Sequence, residues 1–270
     1  IMSKLTGIGK LSRERLAEVL RATKGTISVT QAANILEINN TEAAKILSRW
    51  HEKGWVSRVK RGLYVPVPLE ASSVDVPLED AWLIAEKLYT PCYIGGWSAA
   101  EYWDLTEQIF RTTIVMTRQV PRDRNPVLKG TRYLLCTVSD KKMFGLKSVW
   151  RGQVKVSVSD PTRTILDMLA EPHLGGGIRS VQDILLNYLR SDMKNLELLV
   201  EYADRLGNGS VFKRLGFLLE RNVPEEHDTI EKCFTRLTKG NTRIDPKLKA
   251  ERLVSRWRLW LPESWLKETA

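Results

Sequence analysis

Arg58, Lys60 and Arg61 place three cations within four positions of the stretch GWVSRVKRGLYVPVP, between the apolar runs Trp55-Val56 and Leu63-Tyr64-Val65. Cations held at a tight turn suit the phosphate backbone of a nucleic acid, where contacts fix position rather than read sequence. A hairpin kept only for structure has no need of such a cluster. Upstream, Asn40, Thr41, Lys45, Ser48 and Arg49 are side chains able to hydrogen-bond base edges, spaced along one helical segment. The plainer reading is a solvated face. Lys45 and Arg49 stand four apart and would solubilise a helix equally well, and Glu42 at the same end would be repelled by phosphate.

Other constellations carry less chemistry. The Gly95-Gly96-Trp97-Ser98 turn has the look of a nucleotidyltransferase phosphate site, but that chemistry needs paired carboxylates on a neighbouring strand to hold magnesium. Here Glu101, Asp104 and Glu107 fall at helical spacing, and no Asp-x-Asp follows on a strand. The strand-like runs of 109–158 also lack the Glu-x-Lys of a metal-dependent nuclease. His51, His173 and His227 share no metal-ligand spacing with each other or with a cysteine. Gly175-Gly176-Gly177 lacks the lysine and hydroxyl residue of a P-loop and reads as a flexible turn. Asp160 and Asp167, seven apart, are accounted for by helix capping and a solvated face. No catalytic residue, metal site or cofactor is expected.

The elements that must position the basic hairpin can be traced from periodicity. SRERLAEVLRA reads as a first helix with Ser12 as its cap, and Ile27 to Val29 as a short extended piece. Thr30 is then expected to cap a second helix, QAANILEI, before a turn at Asn39-Asn40. The third helix, TEAAKILSRWHEKG, turns Ala43, Ile46, Leu47 and Trp50 inward and stops at Gly54. Helix, turn, helix and basic hairpin make a winged helix-turn-helix over residues 1–68, a module that binds DNA and in other settings binds protein. Residues 66–78 hold three prolines and read as a linker. From 69 to 175, helix and strand patterns alternate as a mixed α/β domain: EDAWLIAEKLYT, a helix starting near Ser98, the strands RTTIVMT, TRYLLCTV and QVKVSVS, and a helix capped by Asp160 with Pro161 at its first position. Residues 176–270 read as a helical bundle closed by RLVSRWRLWLP, a terminal strand or hairpin partner. The fold class is α+β.

Of the 270 residues, 43% are apolar and 27% charged, which excludes a disordered chain. No apolar run approaches the roughly 20 residues of a membrane span. Met2 is expected to be the natural start, and the N-terminal IMSKLTGIGK lacks a signal-peptide core, so a cytoplasmic protein is expected. Cys92, Cys136 and Cys233 lie far apart and read as inert thiols in a reducing compartment. The net charge of +10 is uneven: residues 1–70 hold 12 Lys+Arg against 6 Asp+Glu, the rest being close to balance. That concentration points to a polyanion partner for the N-terminal part.

The run SVTQAANILEINNTEAAKILSRWHEKGWVSRVKRGLYVPVP, together with YIGGWSAAEYWDL, VKVSVSDPTRTILDML and the closing WRLWLP, resembles the AbiEi-type antitoxins of bacterial abortive-infection (type IV) toxin–antitoxin systems. The resemblance implies a phage-defence protein whose winged helix binds inverted repeats in double-stranded promoter DNA and represses its own operon. It also implies that the larger C-terminal part counters a nucleotidyltransferase-type toxin, and that the chain itself is not an enzyme. The missing Asp-x-Asp places the chain on the antitoxin side. The rival reading is a winged-helix transcriptional regulator whose C-terminal domain senses a ligand or partner.

Overall fold

The first ordered decision in the chain is made at Ser28, where a strand stops and a helix starts. Its hydroxyl accepts the backbone N–H of Gln31 at 3.2 Å, and the Gln31 side chain accepts the backbone N–H of Ser28 at 3.1 Å. This reciprocal capping box satisfies two donors that a helix start otherwise leaves open. A computed structural model describes residues 9–23, 25–68 and 80–267. In it, α1 (Lys10–Ala22) is followed by β1 (Ile27–Ser28), α2 (Val29–Ile35), α3 (Asn40–Glu52), β2 (Val56–Lys60) and β3 (Leu63–Pro66). The cap of α2 is therefore Ser28 and not Thr30, because Ser28 has the Gln partner three residues on. Likewise α1 begins at Lys10 with Gly9 as an N-cap that makes no side-chain bond, and Ser12 lies inside the helix. Asn39 caps α3 by accepting the N–H of Glu42 at 2.9 Å. β3 runs between β1 and β2 and is antiparallel to both. Val19, Ile27, Ala33, Ala43, Leu47 and Trp50 form the buried centre of this unit.

The read linker at 66–78 and the N-terminal start lie mostly or wholly outside the described residues. Beyond them come α4 (Ala81–Tyr89), β4 (Cys92–Ile94), α5 (Gly96–Tyr102), β5 (Thr112–Thr117), β6 (Val127–Leu128), β7 (Thr131–Thr137), β8 (Leu146–Arg151), β9 (Val154–Ser159) and α6 (Pro161–Ala170). Their six strands make one mixed sheet in the order β6-β7-β5-β4-β9-β8. β5 and β7 are parallel, as are β4 and β9, while β4–β5 and β8–β9 are antiparallel. Asp160 caps α6 through the N–H of Arg163 at 2.8 Å, with Pro161 in the first position, as the sequence indicates. α5 starts at Gly96, two residues before the expected Ser98. Ser98 is turned inward, where its hydroxyl accepts the N–H of Ile114 at 3.0 Å.

The chain continues through α7 (Ile178–Arg190), α8 (Leu196–Leu206), α9 (Gly209–Asn222) and α10 (His227–Thr235). It ends in β10 (Thr242–Arg243), β11 (Arg252–Val254), β12 (Leu259–Leu261) and α11 (Ser264–Lys267). β12 is the middle of a small sheet, parallel to β10 and antiparallel to β11. One core joins this region to the mixed sheet: Tyr93, Ile114 and Ile165 pack in the same buried cluster as Leu199, Leu215 and Trp257. The opposite face of the sheet, with Ile94, Val115, Val149 and Val158, is covered by α4 through Trp82, Ile84 and Ala85.

Candidate nucleic-acid interface

α3 separates its residues by face. Ala43, Leu47 and Trp50 are buried, and Asn40, Thr41, Lys45 and Arg49 are exposed. Positions 41, 45, 48 and 52 recur at three and four residues, so they share one face. Ser48 departs from the expectation of a free side chain: it is half-buried and its hydroxyl lies 3.3 Å from Glu52 Oε1. On that face Lys45 is the cation and the exposed Glu52 the acid at its C-terminal end, while Arg49 and Glu42, seven positions apart, lie together along its edge.

The hairpin follows directly. Arg58 pairs with Tyr64 and Lys60 with Leu63, which leaves Arg61-Gly62 as a two-residue turn. Gly62 has φ +81°, a value that costs glycine nothing and other residues a steric penalty. The register shifts between Arg58 and Lys60, so Val59 is the extra residue of a bulge. Arg58, Lys60 and Arg61 are exposed, and their side chains form no hydrogen bond or ion pair among the described residues. Val59 and Val65 are partly buried against the α4-covered face of the mixed sheet. The hairpin thus has one apolar side seated on the larger body while its three cations remain in solvent. Pairing of Ile27 with Tyr64 and of Ser28 with Leu63 ties the same hairpin to the start of α2. Fixing the backbone in advance lowers the ordering cost when a ligand is bound.

Sequence reasoning missed Lys53, an exposed cation whose ammonium sits 5.0 Å from the centre of the Trp55 ring, between the end of α3 and β2. The signal was a lysine two positions before an aromatic residue at a helix end. It also missed a second cluster, in the larger body. Asp167 is not on a solvated face. It is 4% exposed, with Arg163 at 1%, and Arg163 Nε donates to Asp167 Oδ1 at 2.9 Å. The Tyr93 hydroxyl donates to Asp167 Oδ2 at 3.0 Å, and Arg163 Nη2 donates to the same phenol oxygen at 3.0 Å. Burial pushes the Asp167 carboxyl above its ordinary range, and the adjacent guanidinium opposes that shift. Burial also raises Tyr93 well above the usual phenol value. The sequence could show the i, i+4 spacing of Arg163 and Asp167, but not that both point into the core.

The remaining candidates are accounted for locally. Trp97 Nε1 donates to Thr112 O at 2.6 Å, so both polar side chains of the Gly-Gly-Trp-Ser turn fasten it to β5. Among the described residues no group of three or more His, Cys, Asp and Glu is placed to hold a metal ion. Among them, too, no helix is long and apolar enough to cross a membrane. The three cysteines are free; Cys92 and Cys233 are buried and Cys136 is half-buried.

Residues 14–67 match the AbiEi_4 family, described as "Transcriptional regulator, AbiEi antitoxin". The matched stretch runs from α1 to the end of the basic hairpin, so it contains every residue assigned to nucleic-acid contact from the sequence. A comparison with curated proteins gave no match.

Proposed function

We propose, from the AbiEi-type antitoxin domain at residues 14–67, that this chain is an antitoxin and autorepressor. α1 to β3 act as a winged helix-turn-helix. α3 enters the major groove of promoter DNA with Asn40, Thr41, Lys45 and Arg49, and the hairpin lays Arg58, Lys60 and Arg61 along adjacent phosphates. The DNA is an inverted repeat in the promoter of its own operon. The larger body counters a nucleotidyltransferase-type toxin, and the chain acts without catalysis. The observation that carries the reading is the hairpin itself: three exposed cations at its tip, with no side-chain partner among the described residues, on a hairpin whose other side is anchored, within the stretch that matches antitoxin regulators.

The test compares the full chain with its Arg58/Lys60/Arg61→Ala variant. Binding to a promoter fragment is followed by fluorescence anisotropy across a salt series, and growth is scored in cells expressing the toxin of the neighbouring gene. The variant should lose affinity and lower the log–log salt slope by about three units, close to one per phosphate contact. It should keep its ability to rescue growth. An unchanged slope removes the wing assignment, and failure of the full chain to rescue removes the antitoxin assignment.

A further inference from the structure

Far from the hairpin, β5 and β7 run parallel and end together at Thr117 and Thr137. Along the carboxyl-terminal ends of these strands lies a cleft of about 530 Å³, partly open to solvent and lined on its other sides by α6, the turn that follows it, and the turn between α8 and α9. Open α/β sheets bind small ligands at this end of their strands, in cavities of roughly 300–1,000 Å³. Three chemistries meet in the cleft. Arg124 and Lys142 are exposed on its rim, and neither side chain forms an ion pair or hydrogen bond among the described residues. Met116, Leu134, Leu174 and Leu206 give it an apolar wall. The buried Asp167 also lines it, and two of the four acceptor positions of that carboxylate are taken by Arg163 and Tyr93.

We infer that the cleft binds a nucleoside phosphate, with the phosphate on Arg124 and Lys142, the base on the apolar wall and a base N–H donated to Asp167. A sugar phosphate would leave the apolar wall unused. A lipid phosphate would have no partner for Asp167. A phosphorylated peptide needs an open groove, not a cavity of single-ligand size. The fields of the two rim cations already reach inside: Lys142 acts on Asp167 and Arg124 on Cys136. The site shares no residue with α3 or the hairpin, so it neither requires nor tests operator binding.

The experiment is isothermal titration of the full chain with AMP, GMP, CMP and UMP, their triphosphates, and inorganic phosphate. The Arg58/Lys60/Arg61→Ala variant is titrated in parallel, because the hairpin is a second phosphate-attracting site. At least one nucleotide should bind one-to-one, with Kd below about 1 mM, equally in both proteins. Arg124→Ala/Lys142→Ala should weaken it about tenfold or more, the change expected from losing roughly 1.4 kcal/mol. Both rim residues are exposed, and an unchanged circular dichroism spectrum verifies the fold. The inference is overturned if no nucleotide binds, if inorganic phosphate binds as tightly as the nucleotides, or if the rim variant binds as the wild type does.

Discussion

The Tyr93 hydroxyl reaches across from β4 to α6 and donates to Asp167 at 3.0 Å, 74 positions away in sequence. The bond completes a buried charge pair, since the phenol oxygen also accepts from Arg163. Asp167→Ala would leave the guanidinium buried with no counter-charge, and should cost about 3–5 kcal/mol in a urea unfolding series. Tyr93→Phe removes a hydroxyl that both donates and accepts, and should cost about 1–3 kcal/mol. A smaller loss from Asp167→Ala than from Tyr93→Phe would contradict the ion pair as the main element.

Trp257 lies against Gly216 so closely that a β-carbon there would clash with the edge of the indole ring. Gly216→Ala must therefore move β12's neighbouring turn off α9, although alanine is the better helix former. Overpacking of this kind costs about 1–3 kcal/mol or more. A thermal melt that shows Gly216→Ala equal to or above wild type would mean the tryptophan can swing away.

Ser28→Ala deletes one half of the capping box at the start of α2. The expected loss is about 1 kcal/mol. Thr30→Ala should change stability much less, because α2 is capped two residues earlier. The pair of melts separates the two assignments.

For contacts to DNA, single replacements should sort by role. Arg61→Ala should weaken promoter and random DNA alike and lower the salt slope by about one unit. Lys45→Ala and Arg49→Ala should weaken the promoter more than random DNA, by about 1–3 kcal/mol for a lost base contact. Equal weakening on both would assign α3 to the backbone only.

The thiols give a pH test. Burial pushes Cys92 up to about 12, Cys136 up to about 11 and Cys233 up to about 12. Only thiolate reacts with iodoacetamide, so labelling of the folded protein near pH 7 should be far slower than for an ordinary thiol. Cys136, half-buried and lowest of the three, should be first to react as pH rises. Rapid modification of Cys233 at neutral pH would show that the α8–α10 region opens.

Much of the N-terminal unit could be read from local sequence, because local rules build it. Helical periodicity gave α3 and its inward Leu47 and Trp50, and Gly54 marked its end; the Asn39-Asn40 turn placed its start one residue late, since Asn39 is the cap and Asn40 the first helical residue. The turn at Arg61-Gly62 needed a residue free to take positive φ, and glycine stood there. Where the reading failed, two local signals competed. Thr30 and Ser28 both suit a cap, and the Gln31 side chain decided for Ser28.

Sequence alone settled that three cations cluster on a hairpin after an amphipathic helix, and that Asp160-Pro161 opens another. Those are facts of spacing and backbone preference within a few residues. Only the tertiary structure decided that Asp167 faces inward, since a lone acid four residues from an arginine suits a wet surface and a dry core equally well. It also decided that Val59 and Val65 seat the hairpin on the mixed sheet, and that Arg124 and Lys142 share a rim with Asp167. Those neighbours lie tens of positions apart: the α4-covered face of the sheet receives Val59 and Val65, and packing of the other face against α6 brings Asp167 to the rim of Arg124 and Lys142.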